Sequence, residues 1–582
     1  MTNTMFKSKW SIMLGMITLI TISCSKKEEK DMPSGEHNIS IRSVKYIDND
    51  NVIDISPVKN NGSSDQLSAK AKVTNTSSLS AMDQNSPAPF DIQAGAEFDF
   101  ITDIQTNAID KADSLTALKA SSSGRSLKAA DVPLNQNKKF RLVFLQEGNS
   151  TPIYNGVLNA GDDPELKVAA DKKYSWYAFS INDPNSVPDI DGSGNISSSS
   201  LANKDFMFAS GEITATEGEN YLDILFLRQM AAIDLRMNTR GMFGPITDNS
   251  KFSIGTGTGS SFTNIIQTGT FNIFNGNFSN LEDTDPIQSS EMTIVDSRWG
   301  NAQKIGRLFT ANTNRTIPAN NLRVRLNSLV IILDNNANRG FAANTIVPVN
   351  HSAELKLTKG TLSLASIRLV ESGINVRGLM WARTNLIYDS SKLYGSSYSA
   401  GNSDAYRFRP NNAYAFGITN TEFWNFGTAT PRGTDYQTVD PCRRVYPDGT
   451  WRLPQEFNNP QEITNLSQNT NRNSSISQVS DGYRHTMSWA PSGAANSAYP
   501  DNNLVLSYYG YRDRNGNMQS RPGGNQRGTG VMMIRSNKYS GNNTNFLLYG
   551  EVNNGSFSNI SVIERNHNEG AVIRCVRNVT NN

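Results

Sequence analysis

Phe140-Arg141-Leu142-Val143-Phe144-Leu145 and Tyr174-Ser175-Trp176-Tyr177-Ala178-Phe179 are the stretches on which the fold class turns. In both, every second residue is apolar or aromatic and most of the residues between are apolar too. A two-residue period puts neighbouring side chains on opposite faces of a strand, so these segments suit strands covered on both sides. Ile233, Leu235 and Met237 alternate instead with Asp234 and Arg236, the pattern of a strand wet on one face. Leu322, Val324 and Leu326 alternate with Arg323 and Arg325 before an apolar run to Leu333. Leu355-Lys356-Leu357 and Leu362-Ser363-Leu364 flank Lys359-Gly360, which reads as a hairpin turn. His37 to Ile47 supplies an early strand. The excess of Asn, Ser, Thr and Gly over Glu, Lys and Leu favours strands joined by long turns. These patterns predict a mainly β protein with tandem antiparallel β-sandwich domains.

Outward from this core, the N-terminus has a different composition. Lys7 and Lys9 precede the apolar run Trp10 to Ile22, which is too short for a spanning helix and fits a signal peptide over 1–23. The run ends in Thr21-Ile22-Ser23-Cys24, which resembles a lipobox and makes Cys24 the expected site of lipidation; an ordinary secretory signal is the alternative. Ser25-Lys26-Lys27-Glu28-Glu29-Lys30-Asp31 then forms a charged tether over 24–36, similar to the export tag of Bacteroidetes surface lipoproteins. The remaining length calls for about three compact units. We place them at 37–245, with long Ser- and Asn-rich loops, at 246–374, and at 375–582, where Lys gives way to Arg and aromatic residues. In the last unit, Gln455 to Leu466 reads as a short helix entered through Pro454.

Little in the chain speaks for catalysis. A net charge of +2 gives no reason to expect a nucleic-acid partner. Cys442 and Cys575 are an even pair in an exported chain and read as one disulfide, with two buried thiols as the alternative. The four histidines, His37, His351, His485 and His567, are scattered and read as surface or loop residues. Gly255-Thr256-Gly257-Thr258-Gly259 lacks the lysine and helix of a phosphate loop and reads as a turn. Asp189, Asp191, Ser193 and Asn195 are spaced as calcium ligands, but Ser200 stands where the closing Glu belongs, so the expectation is no metal and no cofactor.

Two family resemblances refine this picture. Phe140 to Leu145, Leu166 to Asn182, Phe206-Met207-Phe208-Ala209-Ser210 and Phe226-Leu227-Arg228-Gln229-Met230-Ala231 resemble successive strands of the fimbrillin-like, transthyretin-like sandwiches of Bacteroidetes. The C-terminal part carries Met380-Trp381-Ala382-Arg383-Thr384-Asn385, Asp440-Pro441-Cys442, Trp451-Arg452-Leu453-Pro454, Gly510-Tyr511-Arg512-Asp513 and Ile573-Arg574-Cys575. That order is similar to the Fibrobacter succinogenes major paralogous (FISUMP-type) domain, an α+β, C-type-lectin-like unit. Trp451 and Leu453 are expected to bury, Arg452 to turn outward or pair, and Trp381, Asn385, Pro454, Gly510, Tyr511, Arg512 and Arg574 to serve structure.

The resemblance implies a non-enzymatic surface lipoprotein of the outer membrane: a fimbrial subunit, tip, anchor or adhesin. Its partners would be other fimbrial subunits, or copies of itself, joined by strand exchange. In such proteins a cut after an arginine frees the acceptor groove, and Arg42 and Arg125 are the candidates here. The alternative is a monomeric module binding a glycan or host protein through Tyr508, Tyr509 and Trp424. The lipobox reading predicts that mass spectrometry of the membrane-extracted protein will find an acylated Cys24 as the first residue. A Cys24→Ala variant will lose both the acyl mass and the membrane association.

Overall fold

The computed structural model describes residues 36–47, 91–106, 131–395, 397–398, 402–411, 422–425, 427–432, 439–456, 461–479, 482–493, 499–508, 510–515, 517–519, 528–530, 535–540, 544–553, 556–566 and 568–578. Cys24 with its signal and tether, the Ser- and Asn-rich stretch 60–89, Arg125, Tyr509 and His567 lie outside the described residues.

The chain is mainly β. Its first part contributes β1 (Glu36–Ile47), β2 (Phe98–Thr106), β3 (Asp131–Pro133), β4 (Lys139–Gln146), β5 (Tyr154–Asn159), β6 (Leu166–Ala169), β7 (Lys173–Ser180), β8 (Met207–Thr214) and β9 (Asn220–Arg228). All except β2 join one sheet in the order β3-β1-β9-β8-β7-β4-β5, with β6 also paired to β1. Phe140, Leu142 and Phe144 of β4 meet Tyr174, Trp176 and Ala178 of β7 in one core, together with Ile39, Ile224 and Phe226. The alternate residues Val143, Leu145 and Phe179 enter a second core with Phe206, Phe271 and Leu201, the last on α1 (Ser198–Leu201). The two-sided burial expected of both segments is therefore realised.

Next in the chain come β10 (Ala231–Gly241), β11 (Lys251–Thr256), β12 (Gln303–Thr310), β13 (Leu322–Ser328), β14 (Thr345–Pro348) and β15 (Leu362–Glu371). One sheet runs β12-β10-β15-β2, and another runs β11-β13-β14. They share a core in which Ile233, Leu235, Ile367 and Phe100 meet Phe252, Ile254, Val324 and Val347. β2 and β10 fall within the span read as the first unit, yet both build this second sandwich; β2 pairs with β15 from Phe98↔Glu371 to Thr106↔Ser363. Among the described residues two pairings are parallel, β1 with β9 and β10 with β15, so the sheets are not uniformly antiparallel.

Three local readings change in the folded chain. β10 is not wet on one face: Asp234 is buried and takes the Arg307 guanidinium through two bonds of 2.8 and 3.0 Å. Farther along β10, Asn238 donates to the Tyr446 hydroxyl at 2.8 Å, so the C-terminal unit covers the polar face. Leu355–Leu357 and β15 do not form a hairpin across Gly360. The first strand pairs with Arg315–Ile317 and the second with β10 and β2, because Leu357 and Ile367 enter the same core from different sheets. Gly360, at φ +74°, still turns the chain. His485 is buried within the strand Gly482–Trp489 rather than on the surface or in a loop; His351 lies in a loop, as expected, but is buried there, its Nε2 accepting from the Leu322 N–H at 3.2 Å.

The C-terminal part builds β16 (Gly373–Val376), β17 (Leu379–Ala382), β18 (Trp451–Arg452) and β19 (Val576–Arg577) into one sheet ordered β16-β17-β19-β18. The helix expected over Gln455 to Leu466 is the shorter α2, Glu462–Ser467. Buried ion pairs tie this unit to the second sandwich: Arg577 bonds the Asp99 carboxylate of β2 and the Glu371 carbonyl of β15. Arg240 pairs with Asp404 at 2.9 Å while lying between the rings of Trp299 and Tyr446.

Cys442 and Cys575 are bonded, with their Cα atoms 5.7 Å apart and a separation of 133 in sequence. Closing a loop of that length restricts the unfolded chain and stabilises the fold by about 4–5 kcal/mol. The double variant Cys442→Ala/Cys575→Ala is expected to lose about that much in urea unfolding of the C-terminal unit.

Candidate functional site

The site that the topology singles out is β1. Its inward residues are Ile39, which is fully buried, and Ile41, Val44 and Tyr46, which are partly buried against the same core. The spacing is two, then three, then two. A strict two-residue period would turn Val44 and Tyr46 to solvent, and the extra residue at the bulge between Ile41 and Ser43 restores the phase. Burying an aliphatic side chain as completely as Ile39 contributes about 1.5–3 kcal/mol.

Both edges of β1 are occupied. Along one, it runs parallel to β9 from Ile39↔Asn220 to Tyr46↔Phe226. Along the other, β6 pairs antiparallel with Glu36 to Ile39, and β3 with Lys45 to Ile47. Between these two short partners the Ile41 N–H donates to Asp163 Oδ1 at 3.2 Å, and the Val44 carbonyl accepts from the Leu134 N–H at 3.0 Å. β1 is thus an inserted strand whose departure would uncover the edge of β9 and an apolar groove.

Arg42 stands at the bulge. Its Nε donates to Asp223 Oδ1 of β9 at 3.1 Å, a second guanidinium nitrogen bonds Oδ2, and the Ser43 hydroxyl donates to Oδ1 at 2.7 Å. The side chain remains 62% exposed. The Arg42 hydrogen bond, supported by Ser43, holds the Asp223 carboxyl below the ordinary aspartate range, against a partial desolvation that acts the other way.

The structure brings most of the C-terminal motif residues together. Trp381 and Arg452 both lie opposite Val576, and Trp451 lies opposite Arg577. Arg574 is fully buried and donates to the Asn385 side-chain oxygen at 3.2 Å, the Ala382 carbonyl at 3.1 Å and the Val505 carbonyl at 2.8 Å. Arg452 is paired rather than turned outward, grasping Glu462 of α2 through bonds of 2.8 and 2.6 Å. Leu453 and Pro454 are buried, the former donating its N–H to Asp440 Oδ2 at 3.0 Å. Gly510, Tyr511 and Arg512 lie apart from this sheet, where the Arg512 backbone pairs with Gly570.

Other candidates fare differently. Trp424 and Tyr508 are 0% and 3% exposed, which removes them as a platform for stacking sugars. Asp191 accepts from the Ser193 and Asn195 N–H groups at 2.9 and 2.8 Å, and Asp189 pairs with Arg141. Glu422, which motif reasoning missed, is buried beside Arg409 at 3.1 Å, and desolvation pushes its carboxyl up to about 7. Nothing in the local sequence marked it.

No family model matches the chain. No curated protein matches it either. Among solved structures, a proposed cell adhesion protein from Bacteroides fragilis is similar at 12% identity and a TM-score of 0.26, over 44% of this chain and 94% of that one. A fimbrial assembly protein from Parabacteroides distasonis is similar at 9% identity and a TM-score of 0.21, over 39% of this chain and 82% of the other. A proposed adhesin from Bacteroides ovatus gives 12% identity and a TM-score of 0.23, over 38% and 80%. Scores this low do not assign a shared fold.

The Arg42–Asp223 contact predicts a pH dependence. Because the folded-state value of Asp223 is depressed, its contribution is present above the ordinary aspartate value of 3.8 and is lost as pH falls through the lowered one. Asp223→Asn at pH 7 is expected to speed hydrogen exchange of the β1 amides by a factor of about 2–5 without affecting β4 or β7. In the wild type the corresponding fall in β1 protection factors, taken relative to the intrinsic exchange rate at each pH, is expected only as pH falls through the lowered Asp223 value.

Proposed function

We propose that this protein is a non-enzymatic, fimbrillin-like surface lipoprotein that assembles or adheres by strand exchange, with β1 as the strand that is replaced. The observation that carries this reading is the placement of β1 between β9 on one side and β3 and β6 on the other. A long stretch rich in Ser, Asn, Ala and Thr separates β1 from the next described strand. A donor strand from another copy would reuse the main-chain hydrogen bonds of β9 for affinity, and the pockets of Ile39, Ile41, Val44 and Tyr46 for register. Lipid attachment at Cys24 would hold the assembly at the outer membrane. The gathering of Trp381, Trp451, Arg452 and Arg574 around one sheet supports a FISUMP-type C-terminal domain acting as scaffold.

Before Arg141 the chain has only two arginines, Arg42 and Arg125. Arg-specific proteases need an extended backbone free of ladder partners, and Arg42 is flanked by residues paired to β9. Arg125 is therefore the preferred processing site. Cleavage there divides the chain between β2 and β3, and the segment carrying β1 is then held to the rest by non-covalent contacts, among the described residues those of β1, β2 and Glu97. Treatment of the mature protein with an Arg-specific protease is expected to yield a ladder of oligomers for wild type and for Arg42→Lys, and none for Arg125→Lys. Wild-type protein that stays monomeric after complete cleavage would overturn strand exchange, and a ladder lost only in Arg42→Lys would overturn the choice of Arg125.

A further inference from the structure

The outer face of β13 carries a cleft that strand exchange does not use. On this face Arg323, Arg325 and Asn327 alternate with the core residues Leu322, Val324 and Leu326, and Ser253 of β11 lies opposite Arg325. Phe262, Thr263 and Asn264 fold back over β11, and the segment from Asp283 to Pro286 completes a cavity of about 320 Å³. Gly255 leaves the room for this: a β-carbon there would stand 2.5 Å from the Phe262 ring.

Arg325 is the unusual member of the lining. Its guanidinium lies over Phe262, 4.2 Å from the ring centroid. The neighbouring Arg323 spends its guanidinium on the carbonyls of Asn320 and Leu322, both at 2.8 Å. Among the described residues Arg325 has no ion-pair partner, and its buried Nε has no hydrogen-bond acceptor. A buried donor without an acceptor is uncommon in folded proteins; the terminal guanidinium nitrogens of Arg325 are not among the buried atoms and are the ones open to an acceptor in the cavity. Asp283 lines the same cavity, but its Oδ1 accepts from Gln267 Nε2 at 2.9 Å rather than from Arg325. The Ser253 hydroxyl donates to Asn327 at 2.8 Å, which leaves its lone pairs to receive a donor.

We propose that this cavity binds a saccharide bearing a carboxylate, of the uronic or sialic acid class. The Arg325 fork takes the carboxylate, held flat by Phe262 so that little freedom is lost on binding. Asp283 and Ser253 accept hydroxyl protons of the ring. The volume lies at the lower end of small-ligand sites. A carboxylate in the same lining disfavours a compact dianion such as phosphate, whereas a sugar acid offers one negative charge and several hydroxyl donors. The inference stands independently of strand exchange, since a monomer carries the whole cavity.

Saturation-transfer NMR and calorimetry on the purified mature chain, with glucuronic acid, N-acetylneuraminic acid, glucose and inorganic phosphate as probes, test it. At least one of the two acids is expected to bind at least tenfold more tightly than glucose. Arg325→Gln is expected to lose at least tenfold in affinity, and Arg325→Lys and Phe262→Ala to fall between, with unchanged melting temperatures certifying the fold of each variant. Failure of both acids to bind wild type, or wild-type affinity in both Arg325→Gln and Phe262→Ala, would overturn the site. Phosphate binding as tightly as the sugar acids would overturn the saccharide class.

Discussion

The backbone edge of β9 must be satisfied, and the apolar groove beside it must be filled, before the first sheet can hold its core. An unpaired strand edge over exposed apolar side chains is both costly and prone to association. Here the need is met by β1, a strand supplied from far upstream in the sequence, which lies parallel to β9 and brings Ile39, Ile41, Val44 and Tyr46 into the core. The closure depends on pairing and side-chain phase rather than on local connectivity. A segment from another chain with the same apolar spacing could provide both.

A second constraint acts at the junction of the second sandwich with the C-terminal unit. After residue 375 Lys occurs only at Lys392 and Lys538, and the structure gives a physical use for the arginines that replace it. Arg383, Arg452, Arg574 and Arg577 are buried, and each makes several directed hydrogen bonds to carbonyls or carboxylates. A planar guanidinium can serve several acceptors at once and carries a weaker hydration shell than an ammonium, so it is the better cation to bury among backbone oxygens. The Lys-to-Arg change in composition is therefore a sign of where charge is taken into the interior. The pairing of Arg577 with Asp99 also ties the end of the chain to β2, so the C-terminal unit packs on a sandwich that it covers rather than hanging from a linker.

The readings that changed share a cause. Asp234 reads as lying on a wet face because alternation reports only that one face differs from the other. Whether the polar face meets water depends on what packs over it, and here cross-strand Arg307 pairs with Asp234, and the Asn320 and Leu322 carbonyls receive Arg323. Trp424 and Tyr508 were candidate sugar platforms because an aromatic side chain serves a core and a binding surface equally well; their burial decides between the two. The turn at Lys359-Gly360 was correctly placed as a change of direction, but a turn does not say whether its two strands return to the same sheet.

The sequence by itself determined the strand character of β4, β7 and β13, because short segments with a two-residue apolar period, rich in aromatic and branched side chains, match the pleat of a strand. It also determined that Cys442 and Cys575 are the pair available to each other once Cys24 is set aside. Only the tertiary structure decided that β2 and β10 belong to the second sandwich, that β1 lies parallel to β9, and that Arg325 faces a cavity with its Nε unpaired. Each of these depends on contacts between residues far apart in the chain. Such contacts leave no periodic trace, since a strand's own pattern fixes which residues turn inward but not which edge it will join.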